Sequence, residues 1–170
     1  EEGGNAVADI IYGKVNPSGK LSVSYPNVQI NEPICYNRSV EKDPRVAYPF
    51  GYGLSYTTFE YSNIKAEKSV ATNAEKISIS VDVKNTGNFA GDEVVELYLS
   101  PADGNKNIRP IQLQGFARVT LNPNETKTVS FTMYASQFGY YSDNHWVIDP
   151  GKYTIKVGAS SQDIRQSEEI

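Results

Sequence analysis

Residues 77–83, Ile77-Ser78-Ile79-Ser80-Val81-Asp82-Val83, alternate strictly between apolar and polar side chains. A period of two puts every apolar residue on one face of an extended chain, so the run predicts a half-buried strand. Residues 94–99 are more apolar and predict a strand that is buried more deeply. Further strands are expected at 113–121, 129–133, 145–148 and 153–157, with a first near 59–65 and a last from Asp163 onward. Turn signals separate them: Asn85-Thr86-Gly87-Asn88, Asp103-Gly104-Asn105, Asn122-Pro123-Asn124, Asp143-Asn144 and Asp149-Pro150-Gly151. The last strand has little apolar content over 164–170 and reads as cut short.

The N-terminal part has a different rhythm. Ala6, Val7, Ile10 and Ile11 share one helical face within residues 4–13, and Gly13 is a natural stop. Asn16-Pro17-Ser18-Gly19 then signals a turn. Leu21, Val23 and Tyr25 alternate with polar residues as in a half-buried strand that Pro26 ends. One helix, one turn and one strand cannot bury their own apolar face, so residues 1–26 are expected to be the remnant of an α/β domain. Residues 27–58 show no clean period, hold Pro33, Pro44 and Pro49 with a charged cluster over 41–45, and read as a linker or joint. The joint closes on Tyr48-Pro49-Phe50-Gly51-Tyr52-Gly53-Leu54-Ser55-Tyr56-Thr57-Thr58-Phe59, in which aromatics and glycines alternate at first. Tight inter-domain packing is the expected use of that pattern, and a sugar-stacking platform is the competing one.

Residues 59–170 thus carry about seven or eight short strands at the spacing of an antiparallel sandwich of immunoglobulin type. The Cys-Trp-Cys arrangement of antibody domains is missing, since the chain has one cysteine, Cys35. With 39% hydrophobic and 21% charged residues, the 170-residue chain has ordinary globular composition. A net charge of -4 without a basic stripe argues against a nucleic-acid partner. The apolar runs are far shorter than the roughly 20 residues that span a bilayer. Two glycosylation-type triplets occur, Asn37-Arg38-Ser39 and Asn124-Glu125-Thr126. The chain opens on Glu1, with Met133 as its one methionine and no signal peptide, which reads as a processed or partial product.

Taken in order, these segments resemble a known family. Gly3-Gly4-Asn5-Ala6-Val7-Ala8-Asp9-Ile10-Ile11-Tyr12-Gly13 and Asn16-Pro17-Ser18-Gly19-Lys20-Leu21 resemble the end of the α/β sandwich domain of family 3 glycoside hydrolases. Residues 48–59 resemble the joint into that family's fibronectin type III-like domain. Val83-Lys84-Asn85-Thr86-Gly87, Ala90-Gly91-Asp92-Glu93-Val94-Val95, Leu113-Gln114-Gly115-Phe116, Pro150-Gly151-Lys152-Tyr153 and the run 157–165 are similar to landmarks within it. The resemblance implies a mainly β fold: a fibronectin type III-like antiparallel sandwich of about seven strands. It would follow a helix–strand remnant over 1–26 and a joint over 27–58, and occupy 59–170.

The resemblance also implies a retaining β-glycosidase acting on β-linked oligosaccharides, β-glucosidase first and β-xylosidase second. Such enzymes hold two carboxyl groups roughly 5–5.5 Å apart. In the family the nucleophile is an aspartate of an N-terminal barrel, and the acid/base is usually a glutamate of the α/β domain, both upstream of the segments matched here. Glu1 and Glu2 match the glutamate-glycine-glycine stretch near that domain's end, so no catalytic residue, substrate-binding residue, metal ligand or cofactor is assigned to this chain.

The residues themselves offer little other chemistry. His145, beside Trp146, reads as structural or exposed, and Cys35 as a small apolar side chain. One His and one Cys cannot make a typical zinc site. Asp92 with Glu93 and Glu96, and Asp143 with Asp149, read as solvated loop and strand-edge charges. Asp103-Gly104-Asn105 is too short a set to assign calcium. Three functions follow: a brace for upstream catalytic domains, a polysaccharide-binding module, or a protein-interaction module. The brace is expected, and it requires exposed apolar surface around Ala6, Ile10 and Tyr52.

Overall fold

The computed structural model describes residues 2–27, 29, 32–38, 43–67, 76–101 and 108–170. The turn at Asp103-Gly104-Asn105, Ser39 of the first glycosylation triplet, Glu1, and residues 41 and 42 of the charged cluster lie outside them.

Helix α1 (Gly3–Ile11) opens the chain. Gly13 stops it at φ 72, a left-handed conformation glycine adopts without penalty. The amides of Gly13 and Lys14 return to the carbonyls of Ile10 and Asp9. No residue of α1 is buried.

The strand expected at 21–25 is the first correction. Only β1 (Tyr25–Pro26) forms, antiparallel to β2 (Val46–Tyr48), and Pro26 belongs to it rather than ending it. Alternation reports an amphipathic extended segment, but a strand also needs a neighbour along its length. Leu21 finds one only at the joint: its amide donates to Tyr52, and its carbonyl accepts from Gly51. A 3-10 turn at Tyr36–Arg38 and the short β2 lie within the segment that showed no period.

The sandwich follows. One sheet has the order β3-β4-β7, from β3 (Phe59–Ala66), β4 (Lys76–Asn85) and β7 (Thr126–Tyr134). The other has the order β11-β10-β5-β6, from β5 (Gly91–Pro101), β6 (Gln112–Leu121), β10 (Tyr153–Ser160) and β11 (Asp163–Glu169). Each of these pairings is antiparallel. Among the described residues, this makes the expected seven-stranded sandwich. The period-two pattern is realised directly: Ile77, Ile79, Val81 and Val83 of β4 face Val95, Leu97, Leu99, Ile155 and Val157 across the core.

One detail departs from expectation. Residues 145–148 do not join the sandwich. They supply β9 (His145–Val147), which forms a hairpin with β8 (Tyr140–Ser142). Its turn, Asp143-Asn144, has φ 49 and 65, the pair of positive values that a two-residue hairpin turn needs. Strand β11, read as cut short, pairs with β10 from Asp163 to Glu169, and Ile170 exchanges both backbone bonds with Tyr153. As an edge strand it buries little, and its charged residues discourage further pairing.

Candidate functional site

The candidate site is the joint between the N-terminal segment and the sandwich. Asn16, in the predicted turn, pins it. Its Nδ2 donates to Ala90 O at 2.9 Å, and its Oδ1 accepts from the Tyr56 amide at 2.8 Å and the Ser55 hydroxyl at 3.0 Å. A Cβ on Gly91 would meet Asn16 Nδ2 at 2.6 Å, so a larger residue there would displace the pin. Helix α1 is tethered from the other side, where Tyr56 donates its hydroxyl to Ile10 O at 2.6 Å.

Deeper in, Thr57 donates to Asn85 Oδ1 at 2.6 Å, and both are buried. Asn85 Nδ2 donates to Phe89 O at 2.7 Å and Leu121 O at 3.0 Å, while Oδ1 also accepts from the Gly87 amide at 3.0 Å. A Cβ on Gly87 would collide with Thr57 Oγ1. This is the physical content of Asn85-Thr86-Gly87: one fully satisfied amide locks a turn, a strand end and the entry to β3 together.

The acidic residues of β5 are the second correction. Asp92 is the peripheral member, held by Arg118, whose second nitrogen also reaches Ser18 Oγ at 2.8 Å. A hydrogen bond from Thr120, with Arg118 beside it, keeps the Asp92 carboxyl below its ordinary range. Glu93 and Glu96, expected at a solvated edge, are 5% and 4% exposed. The joint covers them. Lys20 Nζ lies 2.9 Å from Glu93 Oε1 while donating to Ala159 O at 3.2 Å. The contact with Glu93 is ionic, since Oε1 accepts no well-angled hydrogen bond. Glu96 sits beneath Gly51, where a Cβ would strike its carboxyl group. Gly51 takes φ 82, so glycine is required there twice over. Tyr98 donates to Glu96 Oε2 at 2.5 Å. Burial pushes the Glu96 carboxyl up to about 7, against the pull of Tyr98 and Lys20. The Tyr98 phenol is also raised, by burial first and then by Glu96.

Aromatic contacts finish the joint. Tyr36 stacks on Phe50 with ring centroids 4.5 Å apart, stands 6.2 Å from Tyr98, and accepts from the Leu113 amide at 3.2 Å. The Ser161 amide donates to Phe50 O at 3.0 Å. An open groove of about 810 Å³ runs alongside, lined by Lys20, Tyr52, Leu54, Phe59, Tyr61, Glu93 and Arg165 among others. Arg165 lies 5.0 Å over the Tyr61 ring and donates to Phe59 O at 2.6 Å, which ties β11 to β3.

The remaining candidates stay apart. His145 is exposed on the β8–β9 hairpin, with Nδ1 3.0 Å from Asp143 O, and Cys35 is exposed. Among the described residues no group of three His, Cys, Asp or Glu is placed to hold a metal, and no helix is long and apolar enough to cross a membrane.

The described residues thus form an antiparallel β-sandwich of immunoglobulin type with a helical N-terminal segment clasped to it. Residues 1–56 match the glycosyl hydrolase family 3 C-terminal domain, and residues 93–161 match the fibronectin type III-like domain. The chain belongs to family 3 of the glycoside hydrolases, as a C-terminal portion. It is 38% identical to a thermostable β-glucosidase B of Acetivibrio thermocellus, over 98% of this chain and 25% of the relative. It is 40% identical to a β-xylosidase of Formosa agariphila, over 94% of this chain and 24% of the relative. The structure of β-glucosidase 3B from Thermotoga neapolitana in complex with α-D-glucose superposes with a TM-score of 0.84 at 31% identity, over 99% of this chain and 26% of that one. The chain therefore spans about a quarter of the length of the relatives it matches.

Proposed function

We propose that this chain is the C-terminal part of a retaining, exo-acting β-glycosidase of β-glucosidase type, and that its sandwich braces the catalytic domains. Both catalytic carboxyl groups lie outside it on this reading, and the substrate of the whole enzyme is a β-linked oligosaccharide. One observation carries the proposal. Helix α1 is tied to the joint through Tyr56, and Asn16 behind it is tied to the sandwich at Ala90, yet Val7, Ile11 and Tyr12 stand 57%, 71% and 81% exposed. Apolar side chains held in place without cover are surface made for a partner. A second face at Ile11, Tyr12, Tyr56 and Phe89 continues the same surface toward the sandwich. Two carboxyl groups must be placed to within about an ångström to act together, so a rigid brace has leverage over turnover without touching substrate.

The polysaccharide-binding reading rests on exposed aromatics. Tyr141 and Trp146 meet edge to face at 74°, and Tyr48 and Tyr52 at 46°, so neither pair forms a flat platform.

A chimera tests the proposal. The matching quarter of the Acetivibrio thermocellus β-glucosidase B is replaced by this chain, and aryl β-glucoside hydrolysis is measured. The chimera should keep turnover, whereas Val7→Asp with Ile11→Asp should lower it by about tenfold or more, a barrier change of ~1.4 kcal/mol. A version of the relative lacking that quarter that kept full turnover and stability would overturn the brace.

A further inference from the structure

Two carboxyl groups, Glu93 and Glu96, are buried where the joint meets β5, and one half-buried ammonium, Lys20, lies against Glu93. Arg165 faces Glu93 from β11 but forms its own pair with Asp163. The buried set thus has one negative charge too many, and low-dielectric surroundings make such an excess costly. Glu96 is the natural place for the neutralising proton. Among the described residues no cation forms an ion pair with it; Tyr98 and the backbone of Gly51 crowd it instead. The other charged and titratable groups nearby are Tyr36 from the 3-10 turn, which acts on Tyr98, and Lys156, opposite Tyr98 on β10. Phe116 is opposite Glu96 on β6.

We propose that Glu96 is a proton-dependent clasp: with its carboxyl protonated, the joint at Leu21, Phe50 and Gly51 is locked on the sandwich, and loss of that proton to solvent loosens it. The inference is separate from the brace, since it concerns when the joint is firm rather than what it supports.

The sign follows from linkage. A carboxyl whose value is higher in the closed joint than in the open one favours closure at low pH. That advantage is lost between 4.5, its ordinary value, and about 7, its closed value. Above about 7 both states are ionised and the dependence ends.

Amide hydrogen exchange on the intact chain, corrected for intrinsic rates, tests this directly. The reporters are the sandwich amides that bond to the joint: Ser161, to Phe50 O, and Leu113, to the Tyr36 hydroxyl. Their opening should rise by up to about tenfold per pH unit across that window and then level off, while core amides of β4 stay flat. Glu96→Gln should hold the reporters closed at every pH. Lys20→Met should carry the window above its wild-type end. Carbon-13 NMR titration of the wild-type glutamates should find one carboxyl well above the ordinary range. Reporters that are flat across the window, a Glu96→Gln profile that still follows the wild type, or glutamates that all titrate normally would each overturn the clasp.

Discussion

Asn85 is the side chain on which the joint depends most. It is fully buried, and each of its polar atoms has a partner drawn from a different part of the chain. Asn85→Ala leaves Thr57, Phe89 and Leu121 with unpaired groups, and should cost at least about 2 kcal/mol in urea unfolding. Gly51→Ala meets both a left-handed backbone and the Glu96 carboxyl group. It should destabilise by about 1–3 kcal/mol, and a neutral result would mean that the joint is looser than its geometry. Glu93 and Glu96 were the residues least legible in the sequence. Each stands in a strand where charge ordinarily marks the solvent face, and alternation cannot reveal that a distant segment folds over that face. Asn85 and Gly87 were visible as a turn motif, but its buried partner Thr57 was not.

At the scale of elements, legibility followed burial. Strands β3 to β7 and β10 pack one face on a common core, so their apolar period was plain, and their positions matched to within a few residues. Elements held by few neighbours were less legible. The segment at 21–25 has a strand's alternation without a strand's partner, β8 has too few residues to show a period, and β11 carries few apolar residues because an edge buries little. Leu97 belongs to the legible class, at 1% exposure in the middle of β5. Leu97→Ala should lower stability by about 2–5 kcal/mol through the cavity it leaves, seen as a lower urea midpoint at unchanged slope. A change in slope instead would indicate that the two sheets come apart separately.

The whole molecule is a stable sandwich that carries an incompletely covered attachment. Exposed apolar residues lie on the N-terminal segment and joint at Val7, Ile11, Tyr12 and Leu54, and on the sandwich side at Phe116, Tyr141 and Trp146. The chain by itself should therefore self-associate as concentration rises in light scattering, and Val7→Lys with Ile11→Lys should suppress this without moving the unfolding midpoint by more than about 0.5 kcal/mol. Concentration-independent behaviour of the unaltered chain would count against an unpartnered face. The central claim, however, is that the chemistry lies elsewhere and this chain supports it. The most direct measurement is hydrolysis of aryl β-glucoside and β-xyloside by the purified 170-residue chain, with its mass verified in the same sample. No turnover is the predicted result. Turnover that follows this chain through purification would contradict the account and turn attention to the buried carboxyl groups at Glu93 and Glu96.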